Sequence, residues 1–250
     1  MQEITSRKNA LVQHLKKLGT EREYRDASGE FLCDGIKLYK EALKSGAEVR
    51  LVAASRRELL EGVQSPAILV PEDVLAYISP LKTPQPLVFA CKKPDNTPVG
   101  GASRVLILDG VQDPGNVGTL LRSAVAFAVE QVILTGACAD LYSPKTVRAA
   151  MGALFRQRVC VMDSLNELYI YVERSGLTLL GATLSEDGRV AGDSLPERVA
   201  LAIGSEGQGL SVHLLPFCHG TVRIPMEAVS ESLNAGVAGS ILMWEMYRRK

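Results

Sequence analysis

The sequence predicts an α/β protein in two parts, a small α/β unit in front of a larger, mostly parallel sheet covered by helices on both faces. Three observations lead there. From residue 104 onward, largely apolar runs at 105–108, 131–135, 159–162, 177–182, 199–203 and 222–224 look like strands buried on both sides. Helical segments at 117–127, 144–154, 165–174 and 233–248 separate several of these runs, and alternating strands and helices argue a parallel sheet. Ahead of them, Lys92-Lys93-Pro94-Asp95-Asn96-Thr97-Pro98-Val99-Gly100-Gly101 is polar, aperiodic and interrupted by prolines and glycines, as linkers are. The division is therefore a front domain at 1–93, a linker at 94–103 and a second domain at 104–250.

In the front domain, Leu11, Val12, Leu15 and Leu18 recur at spacings of three and four and predict an amphipathic helix over 6–18, capped by Thr5 or Ser6. A strand at 31–33, a helix at 36–43, strands at 49–53 and 67–70, a helix at 71–78 and a strand at 87–91 follow.

With 250 residues, 46% of them hydrophobic, the chain can bury one large core or two smaller ones. Its 28 lysines and arginines equal its 28 aspartates and glutamates, so bulk charge does not hold nucleic acid. Positive charge is local instead: Arg7, Lys8, Lys16, Lys17, Arg22 and Arg25 crowd the first segment, partly offset by Glu21, Glu23 and Asp26. No run approaches the roughly 18 apolar residues of a membrane span, and no apolar stretch follows the first charges, so a cytoplasmic protein is expected. Cys33, Cys91, Cys138, Cys160 and Cys218 show no C-x-x-C spacing and read as reduced thiols. With His14, His213 and His219 equally scattered, no metal is expected.

Parallel sheets place ligand sites beyond the carboxyl ends of their strands, which directs attention to the loops after residues 108, 203 and 224. The first contains Asp109-Gly110-Val111-Gln112-Asp113-Pro114-Gly115-Asn116, with Asn116 as a candidate helix cap and Arg122 six residues on. An amide and a guanidinium together suit an oxyanion or a phosphate. The second, Gly204-Ser205-Glu206-Gly207-Gln208-Gly209-Leu210-Ser211, is glycine-rich but lacks the spacing of a dinucleotide fingerprint, and no Walker motif occurs. The third runs from Ile224-Pro225-Met226 to Ser232-Leu233-Asn234 and enters the last helix, with Ser230 or Ser232 as cap. Gly236 and Gly239 inside that helix cost about 1 kcal/mol each relative to alanine, which implies close packing on a ligand, a strand or another helix.

In order and spacing, Asn116 to Arg122, Gly204-Ser205-Glu206-Gly207 with Gly209-Leu210-Ser211, and Ile224-Pro225-Met226 with Ser232-Leu233-Asn234 resemble the three motifs of the SpoU (TrmH-like) family of RNA ribose methyltransferases, in the SPOUT superfamily. The resemblance covers 104–250. Residues 1–93 resemble, more loosely, the L30e-like substrate-binding domain that many members carry in front. It implies a Rossmann-like sheet closed by a C-terminal trefoil knot, a homodimer joined through the catalytic domain, and S-adenosylmethionine as cofactor. It further implies methylation of a ribose 2′-hydroxyl in RNA, ribosomal rather than transfer RNA. Carried over by position, Gly204, Ile224 and Leu233 hold the cofactor largely through backbone groups, aided by Met226, Thr183 and Leu184, while Asn116, Arg122, Glu206, Ser232 and Asn234 form the polar active site. A serine common in the last helix is here Gly236.

The family's proposed base is the arginine at position 122, yet guanidinium groups stay protonated in proteins. Two roles follow. A charged Arg122, held by Glu206 and Asn116, orients the substrate phosphate and stabilises the oxyanion, or an Arg122 deprotonated by its surroundings takes the proton itself. Rival readings are a transfer-RNA methyltransferase of the same family, an inactive RNA-binding homologue, and a nicotinamide-dependent oxidoreductase, which the missing fingerprint disfavours.

Overall fold

The computed structural model describes residues 2–185, 188–193, 195–227 and 232–248. The chain divides into two compact units, Met1–Asp95 with Asp140–Phe155, and Asn96–Ala139 with Arg156–Lys250. The first contains β1 (Gln2–Glu3), α1 (Ala10–Thr20), α2 (Arg22–Ser28), β2 (Glu30–Asp34), α3 (Ile36–Lys44), β3 (Val49–Ala54), β4 (Ala67–Leu69), α4 (Glu72–Ile78) and β5 (Leu87–Lys92). Its sheet has the order β1-β4-β3-β5-β2, with β5 antiparallel to both neighbours and the other pairs parallel.

The amphipathic reading of α1 holds: Val12, Leu15 and Leu18 are buried with Leu32, Ile68, Val74 and Ile78. The helix starts later than 6 because Asn9 is the cap, its side chain accepting from Leu11 N at 2.9 Å, while Ser6 Oγ closes a local turn onto Lys8 N.

The remaining elements are β6 (Arg104–Asp109), α5 (Pro114–Ala126), β7 (Gln131–Thr135), α6 (Pro144–Ala150), β8 (Val159–Val161), α7 (Leu165–Arg174), β9 (Thr178–Ala182), β10 (Arg189–Val190), β11 (Val199–Ile203), β12 (Gly220–Arg223) and α8 (Ala235–Tyr247). Of these, α6 packs with the first unit, where Tyr142 lies 4.9 Å from the Phe31 ring and the buried Arg25 pairs with Asp140. The other strands form a seven-stranded sheet of order β10-β12-β9-β11-β6-β7-β8, parallel at every pairing. All of β7 and β11 is buried, as strands covered on both faces should be. From β6 the chain advances through β7 and β8 on one side, whereas β11 and β9 lie on the other. The β6/β11 border is thus the switch point, and the loops after these two strands meet there.

Two helix starts correct the expectation. Asp113, not Asn116, caps α5: its Oδ1 accepts from Asn116 N at 2.8 Å, and Pro114 takes the first helical position, where its missing N–H costs nothing. Asn116 thereby falls in the first turn and is only 7% exposed. For α8 the cap is Asn234, whose Oδ1 accepts from Val237 N at 3.2 Å. Ser232 lies in the non-helical approach, and Ser230 lies outside the described residues.

The glycines of α8 meet another helix. A β-carbon at Gly239 would overlap Leu120 of α5 and sit 3.4 Å from Ile203 Cγ1 of β11. One turn on, Ser123 and Ser240 join the two helices through a 2.7 Å hydroxyl contact. The lost helix propensity is offset by this close approach.

Candidate active site

The three loops after β6, β11 and β12 converge on one carboxylate. Glu206 Oε1 accepts from Asn116 Nδ2 at 2.7 Å and, at short range, from Asn234 Nδ2, while Asn234 Nδ2 also reaches Asn116 Oδ1 at 3.0 Å. Each partner is fixed by its element: Asn116 by the first turn of α5, Asn234 by capping α8, and Glu206 by a turn closed at both ends. In that turn Ser205 N donates to Gly209 O at 3.0 Å and Gly209 N to Ser205 O at 2.9 Å. Gly204 is required here because any β-carbon would overlap the Gly209 carbonyl. Gly236 has a similar reason, since a β-carbon there would stand 3.1 and 3.2 Å from the Asn234 and Asn116 amide oxygens. The position where serine is common is therefore crowded in this chain.

Because both amides go to Oε1, Glu206 Oε2 has no partner among the described residues. Arg122 does not join the cluster. It is exposed and makes no contact to Glu206 or Asn116, which corrects the expectation that these two hold its guanidinium. Six residues along a helix place it roughly 120° around the axis from Asn116.

Behind the Glu206 turn, between the ends of β9, β11 and β12 and the start of α8, lies a cavity of about 620 Å³. Thr183, Leu184, Gly204, Ile224, Met226 and Leu233 all line it, and so do Ser232 and Glu206. The rest of the wall includes the polar Ser205 and Gln208 and the apolar Leu210, Val222, Ala238 and Leu242, of which motif spacing singles out Leu210 alone. Thr183 Oγ1 is buried there without a hydrogen-bond partner, a state that costs about 1–3 kcal/mol unless a ligand relieves it. On the other side of the turn, at the ends of β6, β7, β8 and β11, lies a second cavity of about 740 Å³, which Asn116 and Glu206 also line. The described residues contain no His, Cys, Asp and Glu group able to hold a metal ion, and no helix among them is long and apolar enough to cross a membrane.

Comparison with known proteins agrees with the loops. The SpoU rRNA Methylase family matches residues 103–244, and the MRM3-like substrate binding domain matches residues 9–89. The 23S rRNA (guanosine(2553)-2′-O)-methyltransferase of Bacillus subtilis is 34% identical over 98% of this chain and 99% of its own. The 23S rRNA (uridine(2479)-2′-O)-methyltransferase of Streptomyces viridochromogenes is 31% identical over 99% of this chain and 92% of its own. The AdoMet-bound rRNA methyltransferase from Sinorhizobium meliloti superposes with a TM-score of 0.87 at 27% identity, over 99% of this chain and 98% of that one. With one family covering more than half its length, and relatives this similar from end to end, the chain belongs to the SpoU rRNA methylase family.

Proposed function

We propose that this protein transfers a methyl group from S-adenosylmethionine to a ribose 2′-hydroxyl of ribosomal RNA. The observation that carries the reading is Glu206, pinned by Asn116 and Asn234 on the turn that divides the two cavities. The cavity lined by Thr183 and Gly204 fits the cofactor. It combines apolar walls for an adenosine, loop backbone for polar edges and one hydroxyl without a partner. Similar methyltransferases have been solved with AdoMet bound.

When bound, the cofactor supplies an electrophilic methyl carbon on a sulfonium leaving group. The chain's own residues must align a ribose hydroxyl and manage its proton. Glu206 Oε2 accepts the hydrogen bond of the 2′-hydroxyl, while the two amides on Oε1 keep the carboxylate from turning away. Ser232 borders the same cavity and donates or accepts at the ribose edge. Arg122 contributes from outside the cluster by orienting the substrate phosphate and stabilising the developing oxyanion, the hydroxyl proton leaving to a nearby phosphate or water.

An exposed Arg122 suits a homodimer in which a second copy brings it to the site. Supporting this, Val237 and Trp244 lie exposed on α8, and Trp244 stacks beside Phe127 and Tyr247 in an aromatic cluster open to solvent. Residues 104–250, apart from the 140–155 segment that packs with the first unit, form the catalytic domain, and 1–93 the L30e-like substrate-binding domain. On the latter, Arg7 and Lys16 lie over the Tyr77 ring at 5.5 and 5.0 Å, and Lys17 over Tyr24 at 5.2 Å, a cation and ring surface suited to RNA. A trefoil knot fits the chain path, because after β11 it crosses β9 to pair on its far side as β12 and returns as α8 against α5 and β11. The similarity to a bacterial rRNA methyltransferase supports action in the cytoplasm.

The test is transfer of labelled methyl from S-adenosylmethionine to unmodified large-subunit ribosomal RNA, with nucleoside analysis, by wild type and Arg122→Ala. A 2′-O-methylated nucleoside that the variant fails to make supports the reading. Label appearing on a base, or on transfer RNA alone, overturns it.

A further inference from the structure

The cavity at the ends of β6, β7, β8 and β11 differs from what an RNA-binding surface usually offers: among the described residues no lysine or arginine lines it. It therefore does not draw in a phosphate. Several of its acceptors are already used by the fold. Asp109 Oδ2 takes the Ser211 N–H at 2.7 Å, Asp113 caps α5, and Glu206 Oε1 holds the two amides. Gln112, Asp163 and His213 are different, being exposed and making no hydrogen bond or ion pair among the described residues. Val111 and Leu165 supply apolar surface in the same cavity.

We propose that this cavity receives the base of the nucleotide whose ribose is methylated, and that Asp163 selects guanine. The inference rests on the proposed ribose methylation. A ribose whose 2′-hydroxyl meets Glu206 Oε2 carries its base on the adjacent carbon, and the cofactor occupies the other side of the 204–209 turn, so the base enters the cavity that Glu206 and Asn116 share with Asp163.

A free carboxylate there discriminates by chemistry. Guanine presents two adjacent donors, N1–H and the N2 amino group, which one carboxylate accepts together. Uracil presents a single N–H between two carbonyl oxygens that a carboxylate repels. Cytosine and adenine present an amino group beside an acceptor nitrogen. Gln112 and His213 bind the remaining edge and face of the ring. Relatives of similar identity are named for guanosine and for uridine, and Asp163 lies outside the three motifs of this chain.

The experiment uses the full chain, S-adenosylmethionine and an unmodified large-subunit ribosomal RNA transcript. Nucleoside analysis is expected to give 2′-O-methylguanosine. With inosine, which lacks the N2 amino group, in place of the mapped guanosine, wild-type kcat/KM should fall roughly tenfold. Asp163→Asn should lower kcat/KM on guanosine by roughly ten- to hundredfold and make the enzyme nearly indifferent to inosine, with cofactor affinity unchanged. Methylation of another nucleoside, or an Asp163→Asn enzyme that still distinguishes guanosine from inosine as wild type does, overturns the assignment. A wild-type protein that binds the cofactor yet methylates no RNA overturns the ribose reading and this inference together, and cofactor binding without transfer is what tells that case apart.

Discussion

The side-chain amide of Asn234 donates to Asn116 Oδ1 at 3.0 Å, although the two residues lie 118 positions apart and belong to different helices. Each has a second engagement: Asn116 donates its own amide to Glu206, and Asn234 caps α8. Substituting Glu206 by glutamine should therefore break an organised centre rather than a lone contact. The expected loss is about 10²–10³-fold in kcat. Single-turnover transfer to ribosomal RNA measures it, and a rate within threefold of wild type would remove Glu206 from the chemistry.

Gly239→Ala sets two effects against each other. Helix propensity favours alanine by about 1 kcal/mol. The new β-carbon, however, would overlap Leu120 in a packed interface, and overpacking costs about 1–3 kcal/mol. Steric cost should prevail, lowering the urea midpoint, and Leu120→Ala in the same chain should relieve the overlap. A Gly239→Ala protein more stable than wild type would contradict the packing of α5 on α8.

Glu130 gives a pH-dependent prediction. Burial alone would raise its carboxyl, but the Ser103 N–H and hydroxyl, both at 2.8 Å, together with Arg104 and Arg198, outweigh burial and hold it below its ordinary value of 4.5. A carboxyl lowered in the folded state stabilises above the unfolded value, and that contribution is lost as pH falls through the folded one. Glu130→Gln should cost about 1 kcal/mol at pH 7 in denaturant titrations. The gap between variant and wild type should narrow as pH falls below the unfolded value of 4.5 and close once pH is below the lower folded value.

Burial pushes the thiols of Cys160 and Cys218 up to about 11, with Asp109 adding to the effect at Cys218. Since the thiolate is the reactive form, native protein at pH 8 should alkylate at these positions about 100-fold more slowly than unfolded protein. Peptide mass spectrometry after timed iodoacetamide treatment checks this.

The seven-stranded sheet is legible in sequence because strands buried on both faces are largely apolar, and 131–135 and 199–203 can be read residue for residue. By contrast, α2 is not legible. Arg22–Ser28 carries no apolar periodicity, and what anchors it is the buried Arg25 guanidinium donating to Leu18 O at 2.9 Å and pairing with Asp140. Cap positions are misread by a few residues where two polar candidates compete, as with Asp113 and Asn116. The residues around the 204–209 turn carry their signal in motif spacing. Asp163 and His213 carry none, since only the order of β6, β7, β8 and β11 brings their loops to one cavity.

The turn closed by the Ser205 and Gly209 backbone bonds also sets how accurately two reactants can be aligned. In the proposed reaction both the methyl donor and the ribose meet this turn, so their separation is defined by a single pinned segment of a few residues. Breathing of the outer strands, such as β8 or β10, then displaces both reactants together, so alignment error stays local even where the sheet edge is loose. The corollary is thermodynamic: any change in that turn's shape is felt by both ligands, and the factor by which cofactor alters RNA affinity must equal the factor by which RNA alters cofactor affinity.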